Sequence, residues 1–409
     1  MSFTNFEIIA GTYEEYLVGY IFSSQDNSLV QSFASHDHSS SIRCLATSDF
    51  YLASGAADDR IIIYDLRARK EHCMLTHHNS TVTSLAFTDN HSHVISASQD
   101  GAMGIVRVGN WQVEKLWDQA HKEGGEVLDI AVHSSGKLAL TLSKDAKIHT
   151  WNLVKGREAY VINLKTKCKD PKNVERIIFA PGDVRFVIYG GKFTEVWSIA
   201  IGGAVSVIEH DERVTACAWL DDKTLFAGYE SGKISVVDVE SGKKTVKDGH
   251  NGRIKAAQYF EGYIATGSST GEIKIWTRKL KEICKVSTGC RITCMIIAKW
   301  CGKVKKEESE EENVPEQVPR SKPVRSRVVV EVEDSSEGER EEVHKNISKK
   351  RKKKSQAIEE PKKKKGQKSS ERQQSGEDTN IVKPKKQKVN LRKEQLKLKK
   401  KKKTKLQES

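Results

Sequence analysis

The chain has 409 residues, 30% of them charged and only 7% aromatic, with a formal net charge of +14. Residues 1–302 balance 35 Lys and Arg against 35 Asp and Glu, whereas residues 303–409 carry 34 against 20, so the whole excess lies there. No stretch reaches the ~20 apolar residues of a membrane-spanning helix, and no Lys or Arg precedes Arg43, so neither a secretory leader nor a membrane partner is expected.

The first elements are three short β-rich runs, residues 7–13, 17–22 and 29–33, with no strand before them to open a unit. A repeat follows. Ile61-Ile-Ile-Tyr64-Asp65-Leu66 returns in altered form around Val106, Trp151, Trp197, Val237 and Trp276, at steps of 42, 45, 46, 40 and 39 residues. A histidine before a polar turn keeps the same period at His38, His78, His121, His210 and His250. Within each unit the apolar runs are five to seven residues long and are broken by Gly, Ser, Asp and Asn. Such runs predict antiparallel hairpins, and four strands per ~40–45 residues is the period of a propeller blade. After the sixth unit, residues 291–298 read as a first strand with no successor. Paired with the three opening runs they complete a seventh blade from both ends of the chain, leaving no open inner edge. The expected fold is all-β: a seven-bladed propeller over residues 1–302, closed by N- and C-terminal strands of one blade.

Across residues 7–300 the sequence resembles the WD-repeat β-propeller family. Gly249-His250 keeps the family's first marker pair; Tyr64-Asp65, Trp151-Asn152, Val237-Asp238 and Trp276-Thr277 stand where Trp-Asp would. The resemblance maps the family's structural hydrogen-bond tetrad onto His121, Ser143, Asp145 and Trp151. Asp58 and Asp100 keep the same six-residue offset in the first two repeats; in the sixth, Thr270 stands in the acid's place, and the fourth has lost both His and Asp.

The rest of the chain has no aromatic residue and is expected to stay disordered, because it cannot bury enough apolar surface to offset the entropy of folding. Residues 303–342 form an acidic linker with 8 positive and 13 negative charges; residues 343–409 form a basic tail with 26 and 7, a net +19. Its runs include Lys349, Lys350, Arg351, Lys352, Lys353 and Lys354; Lys362, Lys363, Lys364 and Lys365; and Lys399, Lys400, Lys401, Lys402 and Lys403. Such runs are read by nuclear import receptors or attract nucleic-acid phosphates. Without aromatics to stack on bases, contact with rRNA should be nonspecific. Ser309 and Ser336 each precede an acid by three residues, which makes them candidate acceptors for an acid-directed kinase.

No catalytic constellation emerges. Gly267-Ser-Ser269-Thr-Gly271 matches a nucleophile-elbow pattern, but it lies in a strand-turn-strand hairpin rather than before a helix. His36-Asp37-His38 and His91-Ser-His93 fall in loops without a third ligand. The eight cysteines contain no CxxC pair and read as reduced, mostly buried hydrophobes; Cys290 and Cys294 are expected on one face of one strand. No cofactor or metal is expected, and the chain is read as a non-enzyme.

Three stretches narrow the likeness: Ile8-Ile-Ala-Gly11-Thr-Tyr13-Glu14, Gly136-Lys137-Leu138-Ala139-Leu140, and Thr150-Trp151-Asn152-Leu153-Val154-Lys155-Gly156-Arg157. With the Lys-rich tail, they resemble the family of p21-activated protein kinase-interacting proteins, whose fungal members act in large ribosomal subunit assembly. The resemblance implies a nucleolar scaffold for pre-rRNA maturation, in contact with large-subunit (pre-60S) assembly factors, that also binds and restrains a p21-activated kinase. The competing expectation from the same fold is a substrate-recognition subunit of a ubiquitin ligase or a chromatin-associated adaptor.

Overall fold

The computed structural model describes residues 5–121 and 125–300. Seven four-stranded antiparallel sheets follow one another around a central channel. Blade one comprises Ile42–Thr47, Tyr51–Ala56, Ile61–Asp65 and Lys70–Leu75; blades two to six repeat this order, beginning with Val82–Phe87, Val127–Val132, Arg176–Phe179, Val214–Trp219 and Ile254–Phe260. Blade seven is built from both ends of the chain, with Ile292–Lys299 innermost and Asn5–Thr12, Leu17–Ser23 and Ser28–Ser35 outside it. The expected closure is therefore present, in the register Phe6↔Lys299 through Gly11↔Cys294. The linker, the tail and the residues assigned there, from Ser309 to Lys403, lie outside the described residues, as does the expected boundary at residue 302.

Burial follows from stacking. The second and third strands of each blade are covered on both faces by neighbouring blades, so runs such as Leu138–Ser143 are apolar almost throughout. The outer strands are far more exposed, as in Lys70–Leu75, where only Leu75 is buried. Seven apolar clusters result, one in each seam between blades; Ile95, Met103, Val127 and Trp151 join blades two and three, and Phe6, Phe22, Ile273 and Ile275 join blades six and seven. Close approach in these seams requires glycine. A Cβ on Gly11 would lie 2.5 Å from Ile42 Cγ2, and one on Gly55 would lie 2.6 Å from Val82 Cγ1.

The inner strands share an irregularity. In six blades the pairing with the second strand skips one residue: Arg43, Thr83, Leu128, Thr215, Lys255 and Thr293. Such a bulge re-aims a side chain, and all six skipped residues line the same mouth of the channel.

Candidate functional site

The histidines that mark the repeat are buried just before the inner strands of blades one, two, three, five and six, and each holds a different remnant of one hydrogen-bond chain. Blade six has it whole. His250 Nδ1 lies 3.1 Å from Glu272 and Nε2 lies 2.7 Å from Thr266 Oγ1, while Trp276 Nε1 donates to the same hydroxyl at 2.8 Å. The carboxylate can only accept from Nδ1–H, so Nε2 accepts from the threonine and the network fixes the tautomer. Burial, then the Lys274 ammonium, pushes this imidazole down to about 4, so it is neutral at pH 7. The acid is thus Glu272, two residues beyond the Thr270 position to which spacing pointed.

Blade one keeps His38, Asp58 and Ser54, at 3.1 and 2.7 Å, with Tyr64 in the tryptophan position. Blade two keeps His78 on Ser96 at 2.8 Å, and Val106 supplies no donor. Blade three corrects the sequence reading. The hydroxyl joining His121 and Trp151, at 2.9 Å to each, belongs to Thr141 and not to Ser143. Ser143 instead donates to Asp145, and Asp145 pairs with Lys147 at 2.8 Å. His121 Nδ1 has no hydrogen-bond partner among the described residues, and the ring packs on His149 with centroids 3.9 Å apart. Residues 141 and 143 share one face of a strand, so alternation alone could not separate them. Spacing could: Ser54, Ser96, Thr141 and Thr266 each stand ten residues before the Trp position.

Blade four replaces the chain with a buried carboxylate, Glu195, which accepts from Trp197 Nε1 at 3.1 Å and from the Lys169 amide at 2.6 Å. In blade five His210 Nδ1 meets the Tyr229 hydroxyl at 2.9 Å. These chains pin loops and seams. The remaining candidates are also structural. Ser269 sits in the blade-six turn, its amide donating to Arg253, with Gly271 at φ +86. His36 pairs with Glu15, and His93 with Glu114. Among the described residues no group of three His, Cys, Asp or Glu is placed to hold a metal. Cys290 precedes the strand Ile292–Lys299 that contains Cys294, so the two do not share a strand face as expected.

Two concave surfaces remain. The first is the channel mouth, where Arg43, Arg176, Arg213, Arg253 and Lys255 converge on a cavity of about 400 Å³. Deeper, Asp129 accepts from Ser84 Oγ at 2.8 Å and the Ile177 amide at 2.9 Å, tying blades two, three and four together. The second is a groove of about 610 Å³ between blades two and three. Ile105, Trp117 and Leu153 line it, Lys115, Lys137 and Lys155 rim it, and Val154 beside them is 72% exposed. Gly136, Lys137 and residues 153–156, which carry part of the family resemblance, are among its walls.

A model of the WD domain, G-beta repeat, matches residues 27–65 and 69–105, from the outer strand of blade seven through blade one into the third strand of blade two. The chain is 30% identical over 303 residues to the p21-activated protein kinase-interacting protein 1-like protein of Xenopus laevis, covering 71% of this chain and 81% of that one. It belongs to the family of p21-activated protein kinase-interacting proteins. Similarity extends to fungi: 26% identity to Shk1 kinase-binding protein 15 of Schizosaccharomyces pombe, over 70% of this chain and 83% of that one, and 25% to Protein MAK11 of Saccharomyces cerevisiae, over 71% and 83%. The family's WD-repeat propeller accounts for the seven blades described above.

Proposed function

We propose that this protein is a non-enzymatic scaffold of the nucleolus that acts in large ribosomal subunit maturation and binds and restrains a p21-activated kinase. The observation that carries the kinase half is that relatives in Xenopus laevis and Schizosaccharomyces pombe both bear names stating kinase binding. The ribosomal half rests on the family resemblance read from the sequence and on the basic runs of residues 343–409. On this reading the charge-balanced propeller selects protein partners, the kinase and pre-60S assembly factors, through its loops and grooves. The groove between blades two and three is the surface we assign to the kinase, since an apolar floor with a lysine rim suits a segment mixing apolar and acidic residues. The lysine runs of residues 343–409 supply import-receptor recognition and nonspecific rRNA contact.

Affinity purification of the full chain from nucleolar extract, followed by gradient sedimentation, tests this reading. It requires co-sedimentation with large pre-ribosomal particles and recovery of a p21-activated kinase. Recovery of ubiquitin-ligase or chromatin components in place of both would overturn it. In a direct assay, Val154→Asp should weaken kinase binding at least tenfold while leaving the thermal midpoint unchanged, because Val154 is exposed and supports no core.

A further inference from the structure

The channel mouth carries charge that the fold does not neutralise. Three of its five cations have partners: Arg176 with Asp129 at 3.4 Å, Arg213 with Glu175, and Arg253 with Glu230. Arg43 and Lys255 have no ion pair or hydrogen bond among the described residues. Both are bulge residues, aimed into the cavity by the skipped pairing of their strands. At three of the equivalent bulges stand Thr83, Thr215 and Thr293, which satisfy themselves on backbone carbonyls such as Val127 O at 2.6 Å and Gly228 O at 3.2 Å. The position is thus served by a short, self-satisfied side chain in three blades and by an unpaired cation in two. The cations also crowd one another. Burial, then the guanidinium groups of Arg253, Arg291 and Arg43, pushes the Lys255 ammonium below its ordinary value; the Glu175 carboxylate opposes this, and solvent at the exposed side chain screens part of it. Five cations face three carboxylates here, Asp129, Glu175 and Glu230, and the excess positive charge costs stability that threonine would not.

The walls say what kind of anion fits. Apart from Leu128 they are Thr, Gln, Glu and the cations, with no aromatic ring on which a base could stack and no apolar pocket to anchor a peptide side chain. Arg213 and Arg253 hold partners that are themselves half exposed, so turning either guanidinium toward a ligand forfeits little. We propose that the channel mouth is a binding site for a small polyphosphate anion, held by Arg43 and Lys255 with Arg213 and Arg253 closing on it.

The test uses the full chain and reads its thermal midpoint with inorganic tripolyphosphate, with myo-inositol hexakisphosphate, and with sodium chloride at matched ionic strength. A ligand raises the midpoint only if it prefers the folded state. Polyphosphate on the lysine tail moves the midpoint only if it prefers the folded chain, and such a rise would survive substitution of Arg43 and Lys255. The proposal predicts a rise of about 2–4 °C or more with at least one phosphate probe and none with the chloride control. Whichever probe gives the larger rise identifies the source as a linear or a polyol-borne polyphosphate. The doubly substituted chain Arg43→Met, Lys255→Met should melt higher than the native chain without ligand and show no phosphate-dependent rise. If that chain fails to fold, Lys255→Gln alone should reduce the rise by half or more. A rise that survives these substitutions, or no rise in the native chain, would overturn the proposal. So would a glutamate-rich peptide that stabilises the native chain more than either phosphate, since the site would then belong to an acidic protein segment.

Discussion

At the scale of single residues, the hydrogen-bond chains separate groups that sequence pattern treats as equivalent. Thr266 serves His250 and Trp276 at once, so Thr266→Val keeps the shape but strands two buried partners. Leaving buried donors and acceptors unmet costs about 1–3 kcal/mol, and chemical unfolding should show a loss in that range. In blade three Thr141→Val should cost more than Ser143→Ala, because only Thr141 joins His121 to Trp151; the reverse order would restore Ser143 to the tetrad. Buried histidines also set a pH dependence. His210 and His250 are pushed down to about 4, and His121 to about 3, with burial the largest cause in each. In the unfolded chain they titrate near 6.5, so between pH 6.5 and 4 the unfolded state binds more protons and stability falls as pH falls. From pH 7 to pH 5 each such histidine should remove on the order of 1–2 kcal/mol. Urea midpoints measured across this window should decline steeply, and His210→Gln should flatten the decline. The repeat histidines and Trp151 were legible because both markers keep one period. The acid Glu272 was not, because it comes from a strand residue outside the usual offset, and its role appears only when His250 folds over it.

At the scale of strands and blades, the closure was readable from what was missing: a first strand at 291–298 without a successor, and three opening strands without a predecessor. The bulges were not readable. Arg43, Thr83 and Lys255 have no common chemistry, and a skipped pairing leaves no mark on apolar alternation. The same holds for the seam glycines, whose need arises from a neighbouring blade: Ile42 lies 31 residues beyond Gly11 and Val82 lies 27 beyond Gly55. Gly11 tests both closure and packing. Its Cβ position lies 2.5 Å from Ile42 and 2.8 Å from Cys294, so Gly11→Val overfills the seam between blades seven and one. Overpacking of this kind costs about 1–3 kcal/mol. Gly242→Ala, at a turn with open space and φ +68, should act through the backbone alone and cost about 1 kcal/mol. Removal of residues 1–35 should be far more severe, since Ile292–Lys299 would lose its only strand partner among the described residues. A truncated chain that stays soluble and unfolds with the native midpoint would contradict the shared blade.

At the scale of the whole molecule, the sequence splits into a charge-balanced part and a basic part, to which the proposed function assigns different work. The propeller offers rigid concave surfaces between blades, whereas residues 343–409 offer a net +19 from 26 positive and 7 negative charges. Each phosphate neutralised on a single strand adds about −0.7 to the slope of log affinity against log salt. A chain lacking residues 343–409 should therefore lose nucleolar accumulation and show a flatter salt dependence for RNA. The measurement that tests the division most directly is the dissociation constant for the p21-activated kinase, taken with the full chain and with the chain ending at residue 342. If the kinase docks on the propeller as proposed, the two values should agree within about twofold, a difference of about 0.4 kcal/mol. A tenfold or greater loss of kinase binding on removing the tail would place the kinase contact outside the propeller and contradict that docking.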